Sequence, residues 1–138
     1  MKMIIKSFSQ AWRSSLETLF AAIFDPSELP YFEETLVDEK SYVAIDKKKV
    51  VGFLIVSDTP GKFFGKQISY LAVDEAYRNQ GIATKLLARL KAGVWLEVLD
   101  SNETACRFYE ARGFIRHKQF TTKDGCAATV FIRCMQCP

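Results

Sequence analysis

Apolar residues recur along this chain with two distinct periods. Met3 to Phe8 reads as a short first strand, and from Trp12 the apolar positions fall at Leu16, Leu19, Phe20 and Ile23, the three-and-four spacing of one helix face. Asp25-Pro26 stops that helix. Pro30 suits the first turn of a shorter second helix, with Phe32 and Leu36 inward and Glu33, Glu34 and Asp38 outward. Ser41 to Ile45 and Val50 to Ser57 are β-rich runs joined by the polar Asp46-Lys47-Lys48-Lys49, which predicts a hairpin. Its lysine run reads more simply as a solvated turn than as a nucleic-acid contact. Asp58-Thr59-Pro60-Gly61 is a turn, and Phe63-Phe64 beyond it either fill core or line a pocket. Gln67 to Val73 returns as a strand.

Leu71 to Leu87 changes the pattern. An apolar strand runs through a polar connection into Arg78-Asn79-Gln80-Gly81-Ile82-Ala83 and on into an amphipathic helix, which should bury Ile82, Leu86, Leu87 and Leu90 and stop at Gly93. The first turn of a helix has amides without intrahelical partners, and the macrodipole adds positive potential there, so an anion can sit on them. Gly81 allows a close approach of backbone to ligand, and Ala83 is the next smallest choice. Helix packing alone would also explain small residues here. Val94 to Leu99 is then an apolar strand, placed parallel to its predecessor by the crossover helix. Asp100 and Glu103 resemble a capping box opening a last helix with Ala105, Phe108 and Tyr109, stopped by Gly113. Phe114 to Thr121 and Cys126 to Cys134 close the chain as a hairpin around Lys123-Asp124-Gly125.

The 138 residues, 49% hydrophobic and 25% charged, fit one globular domain over residues 1–138. No apolar run approaches the roughly 20 residues of a membrane span, and the first residues show no signal-peptide core, so the expected compartment is the cytoplasm and no membrane contact is expected. The net charge of +3 is too small to imply nucleic acid. Its distribution is uneven: Asp25 to Glu39 holds Asp25, Glu28, Glu33, Glu34, Asp38 and Glu39 with no Lys or Arg. That stretch is either a solvated helix face or a surface for cations. Cys106, Cys126, Cys134 and Cys137 lack paired metal-ligand spacing and His117 is the only histidine, so no metal is expected.

Two residues stand out chemically. Glu97 interrupts an otherwise apolar run, and a carboxylate there must be paired, near solvent at a strand end, or used, since unpartnered burial costs several kcal/mol or raises the pKa toward that of a general base. Tyr109 follows the expected core residue Phe108 and can present its hydroxyl at the edge of that face, either as amphipathic packing or with a role. Cys106, without a histidine at an obvious partner position, reads as a small buried hydrophobe.

With these elements in order, the chain resembles the GNAT family of acetyl-CoA-dependent N-acetyltransferases over nearly its whole length. Arg78, Gly81 and Ala83 match the family's R/Q-x-x-G-x-G/A signature, and Asn102, Ala105, Phe108, Tyr109, Gly113 and Phe114 match its N-x-x-A-x-x-F-Y-x-x-x-G-F pattern. The resemblance implies an α+β fold: a single mixed, mostly antiparallel sheet with a central splayed parallel pair and about four helices. It implies acetyl-CoA as donor, with backbone of Leu71, Ala72 and Val73 on the pantetheine arm. Amides of Asn79, Gln80, Gly81, Ile82, Ala83 and Thr84 would hold the pyrophosphate after Arg78, and Asn102 would reach the pantetheine side. The run WLEVLDSN and the later FYEARGF look most like the branch that acetylates protein N-termini, typified by the ribosomal-protein alanine acetyltransferase. That likeness implies Glu97 as base and Tyr109 as acid. Where the branch carries adjacent tyrosines on its penultimate strand, this chain reads Lys118-Gln119-Phe120-Thr121. The acidic helices, with Glu28, Glu33 and Glu34, fall where the family builds its acceptor side and imply a cationic amine: a protein N-terminus or lysine, or alternatively a polyamine. A non-catalytic acetyl-CoA-binding module is the rival from another class, and either a monomer or a homodimer is compatible with the chain.

Overall fold

The computed structural model describes residues 3–36, 40–59, 65–91 and 93–134. Seven strands form one mixed sheet: β1 (Ile4–Ser7), β2 (Tyr42–Asp46), β3 (Lys49–Asp58), β4 (Lys66–Val73), β5 (Val94–Leu99), β6 (Ile115–Thr121) and β7 (Ala127–Arg133), in the order β1-β2-β3-β4-β5-β7-β6. β1 pairs antiparallel with β2, and β2 with β3. β4 and β5 are parallel, meeting at Gln67 and Trp95, and β5, β7 and β6 continue antiparallel. The helices are α1 (Arg13–Ile23), α2 (Leu29–Thr35), α3 (Ile82–Leu87) and α4 (Glu103–Glu110), with short 3-10 turns before α1, α2 and α3. The mixed α+β fold expected from the sequence is therefore present. The contacts gather into two compact units, Met1–Ser57 with Ile68–Leu90, and Asp58–Gln67 with Lys91–Pro138.

In the first unit the α1 stripe is buried as its spacing requires. Leu16, Leu19 and Phe20 join Phe32, Phe53 and Tyr70 in one core. The Phe20 and Phe32 rings stack with centroids 4.0 Å apart, and Tyr70 meets Phe20 edge-on at 5.3 Å. Fully burying each such ring contributes about 1.5–3 kcal/mol. Asp25 accepts from the Ser27 amide and Pro26 follows it, which explains the stop seen in the sequence.

α3 ends earlier than its pattern predicts. After Leu87 the chain tightens: the Arg89 amide bonds the Leu86 carbonyl and the Leu90 amide the Leu87 carbonyl, both three residues back. Arg89 Nη2 donates to the Ile5 carbonyl at 2.9 Å, fastening this tightened turn to β1. Leu90 is only half-buried, and Gly93 is not the helix stop.

In the second unit Trp95 Nε1 donates to Thr59 Oγ1 at 3.0 Å, and α4 begins two residues later than a cap at Asp100 would give. Asn102 is the cap, its Oδ1 accepting from the Ala105 amide at 3.1 Å. Asp100 instead accepts from the buried Thr129 hydroxyl at 2.6 Å, while its amide bonds the Ala127 carbonyl. Those two bonds pin the β5–α4 turn to β7. Gly113, at φ 91°, ends the last turn as expected.

Candidate active site

The stretch that anchors the first unit's candidate site begins where β4 ends. The Asp74 amide bonds the Val51 carbonyl, and Asp74 then caps a 3-10 turn (Glu75–Tyr77) by accepting from the Ala76 amide. Arg78 Nε donates to the Val73 carbonyl at 3.2 Å and closes the loop. Asn79 and Gly81 follow in the left-handed region, at φ 64° and 78°. Among the described residues, the amides of Asn79, Gln80, Gly81, Ile82 and Ala83 have no hydrogen-bond partner. An ideal Cβ on Gly81 would meet no protein atom within 4 Å, so space lies open beside the amides. Leu71, Ala72 and Val73, half-buried at the end of β4, lead straight into this loop. Loop amides, a glycine with clear space and adjacent basic side chains form a cradle that fits a diphosphate.

Two features hold this loop in place that the residue pattern did not reveal. Gly52 on β3 is buried, and a Cβ there would come within 3.2 Å of Ile82 Cγ2 and 3.3 Å of the Ala72 carbonyl. α3 thus settles onto β3 because this position has no side chain. Tyr77 donates its hydroxyl to Asp46 Oδ2 at 2.7 Å, and Asp46 is only 5% exposed. The hydrogen bond to Asp46 raises the Tyr77 pKa, so the phenol keeps its proton. No local signal marks either contact, since each joins residues far apart in sequence.

The acidic residues are only partly available. Glu28 accepts from the Tyr70 hydroxyl at 2.8 Å, and Glu33 lies 3.6 Å from Arg13 Nη2. Burial, then the bond to Glu28, pushes the Tyr70 phenol up. Glu34 is exposed. Asp38 and Glu39 lie outside the described residues, as do Phe63-Phe64 and Cys137.

In the second unit, β5 alternates so that Val94, Trp95, Leu96 and Val98 are buried while Glu97 and Leu99 are exposed. Glu97 is neither buried nor at the strand end: it sits opposite Val130 in mid-strand with its side chain exposed. Tyr109 and Phe108 exchange their expected places. Tyr109 is buried at 7% exposure, whereas Phe108 is half-buried beneath the Arg112 guanidinium at 3.8 Å. The reason lies in packing, because Tyr109 wedges edge-on between Phe108 and Phe114, with centroids 5.1 and 5.2 Å away. Burial raises the Tyr109 pKa far above its ordinary value of 10.0. Its hydroxyl has no partner among the described residues, and no buried side-chain polar atom there lacks one, so that oxygen reaches solvent. Cys106 is buried, as expected, with Sγ 3.9 Å from the Leu99 carbonyl. Among the described residues no group of His, Cys, Asp and Glu could hold a metal.

A seven-stranded sheet with a parallel β4–β5 pair and an amide cradle after β4 defines a class of acyl-transfer fold, and the sequence pattern described as the acetyltransferase (GNAT) family matches residues 4–114. The chain belongs to that family. N-alpha-acetyltransferase 30 of Schizosaccharomyces pombe is 36% identical over 91 residues, covering 59% of this chain and 61% of that protein. The bS18-alanine N-acetyltransferase of Escherichia coli is 42% identical over 67 residues, 40% of this chain and 45% of the relative. The matches thus span less than two thirds of either curated relative. The same fold appears in the NatC complex bound to Gag peptide and CoA, with a TM-score of 0.81, 24% identity and coverage of 97% of this chain and 99% of that one. It appears too in the Escherichia coli ribosomal-protein-S18-alanine N-acetyltransferase, with a TM-score of 0.78, 22% identity and coverage of 99% and 96%.

Proposed function

We propose that this protein transfers acetyl from acetyl-CoA directly to a primary amine, and that the acceptor is a protein N-terminus or lysine. The observation that carries the proposal is the run of five amides, Asn79 to Ala83, without partners among the described residues, in a loop with two left-handed residues in a chain of this family. N-terminal acetylation named for two relatives supports the choice of a protein amine. In this reading the backbone of Leu71 to Val73 pairs with the pantetheine arm, and the amides from Asn79 to Thr84 hold the pyrophosphate. Asn102 uses Oδ1 for its cap and keeps its amide N–H group for the pantetheine side.

The bound thioester supplies an activated acyl carbon. An aliphatic ammonium with a pKa near 10.4 presents less than about one free amine in a thousand at pH 7. Glu97, in solvent at mid-strand, accepts the acceptor's proton directly or through water, and Tyr109, whose proton burial retains, donates to the departing sulfur. Release of CoA with peptides bearing free N-termini or lysines, compared with polyamines, tests the assignment. Release on peptides is expected. Release on polyamines alone would make this a small-amine enzyme, and acetyl-CoA binding without release on any amine would make it a non-catalytic binding module.

A further inference from the structure

The β2–β3 turn carries a lysine run that neither the fold nor the proposed chemistry employs. Asp46 and Lys49 face each other across the ladder, which leaves Lys47 and Lys48 as a two-residue turn, both exposed, at φ 52° and 63°. Turns of this hand favour Asn and Gly, because a Cβ at positive φ crowds the following carbonyl. Among the described residues, the other non-glycine position at positive φ is Asn79, inside the cradle. Tyr77 joins the two places. Its hydroxyl is bonded to Asp46, its ring lies 5.9 Å from Lys49 Nζ, and Arg78, which opens the cradle, follows it directly. Asp46 is engaged by Tyr77, and Asp74 by the Ala76 amide, so the exposed Glu75 is the acid left nearby in sequence. Neither Lys47 nor Lys48 has an ion-pair partner among the described residues.

Coenzyme A carries two phosphate groups of different character. The diphosphate in its chain suits the neutral amides of the cradle. The ribose 3′-phosphate is a dianionic monoester on an outlying sugar, and ammonium groups on long stems suit such a charge. We propose that Lys47 and Lys48, supported by Lys49, form the 3′-phosphate subsite, so that the β2–β3 turn distinguishes coenzyme A from 3′-dephospho-CoA. The proposal rests on residues 79–83 being the pyrophosphate cradle. It also accounts for lysines at two positions where Asn-Gly would be easier on the backbone: the charge is retained at the expense of strain.

Calorimetric titration with CoA and with 3′-dephospho-CoA tests it, using the wild type, the Lys47→Gln/Lys48→Gln double variant and the Lys47→Asn/Lys48→Gly double variant. The wild type is expected to bind CoA about tenfold more tightly than the dephospho form, the yield of two exposed charge pairs. Both variants should lose that gap while holding 3′-dephospho-CoA to within about twofold of wild type. The Lys47→Asn/Lys48→Gly variant should also melt at a higher temperature, which separates lost recognition from lost folding. A gap that survives in both variants, or is absent from the wild type, overturns the subsite. Failure of the wild type to bind either ligand overturns the cradle itself.

Discussion

Tyr109 is the residue whose environment most constrains its chemistry. With its ring enclosed by Phe108 and Phe114 and its pKa raised by burial, it stays protonated across the whole range in which an enzyme would work. Removing the hydroxyl leaves the ring packing intact. Tyr109→Phe is therefore expected to lower kcat at least tenfold while leaving acetyl-CoA affinity within about twofold. Equal loss of turnover and donor binding, or wild-type turnover, would remove it as the acid. The alkaline limb of the wild-type pH profile should likewise not arise from this phenol. The sign for stability follows from the same burial: below the unfolded value of 10.0 the phenol is neutral in both states, and above it the unfolded chain sheds the proton first, so stability falls as pH rises past that value. The place of Tyr109 on the last helix was legible in the pattern, but its burial was not. Phe108 has the greater apolar surface, and only the return of the chain to Phe114 decides which ring goes inward.

Among the described residues, α3 is the shortest α-helix and bears on the cradle most directly. Its six residues have too few internal bonds to hold themselves, so its position depends on Ile82, Leu86 and Leu87 packing inward and on Gly52 leaving room for them. Gly52→Ala puts a methyl against Ile82 Cγ2 and the Ala72 carbonyl, the latter being backbone that cannot turn aside. A loss of about 1–3 kcal/mol is expected in denaturant unfolding, together with weaker acetyl-CoA binding as the cradle is pushed off β3. Unchanged stability would mean that α3 shifts without cost. The helix starts were largely legible, because proline and the αL residue Gly81 act within a few positions. Boundaries set by distant partners were less so. α3 stops where Arg89 reaches Ile5, and α4 starts at Asn102 because Thr129 has drawn Asp100 away. Both outcomes depend on partners far along the chain, and no window of local sequence contains them.

Across the whole molecule the net charge of +3 conceals an acidic stretch from Asp25 to Glu39 that has no basic residue of its own. Counted formally it is a strong attractor for cations, but the folded chain already spends part of that charge. Tyr70 occupies Glu28, Arg13 stands beside Glu33, and Glu34 faces solvent with no ion-pair partner among the described residues. What remains should assist a cationic acceptor by an amount typical of exposed charges, about 1 kcal/mol or less for each, and salt should erase it. The triple variant Glu28→Gln/Glu33→Gln/Glu34→Gln keeps the shapes and most hydrogen bonds while removing the charge. It is expected to raise KM for a lysine-rich peptide several-fold at an ionic strength of about 0.05 M, with the difference shrinking toward unity near 0.5 M and KM for acetyl-CoA unchanged. A KM that does not move at low salt would leave these helices as a solvated face, and the acceptor's charge would then be read by other residues.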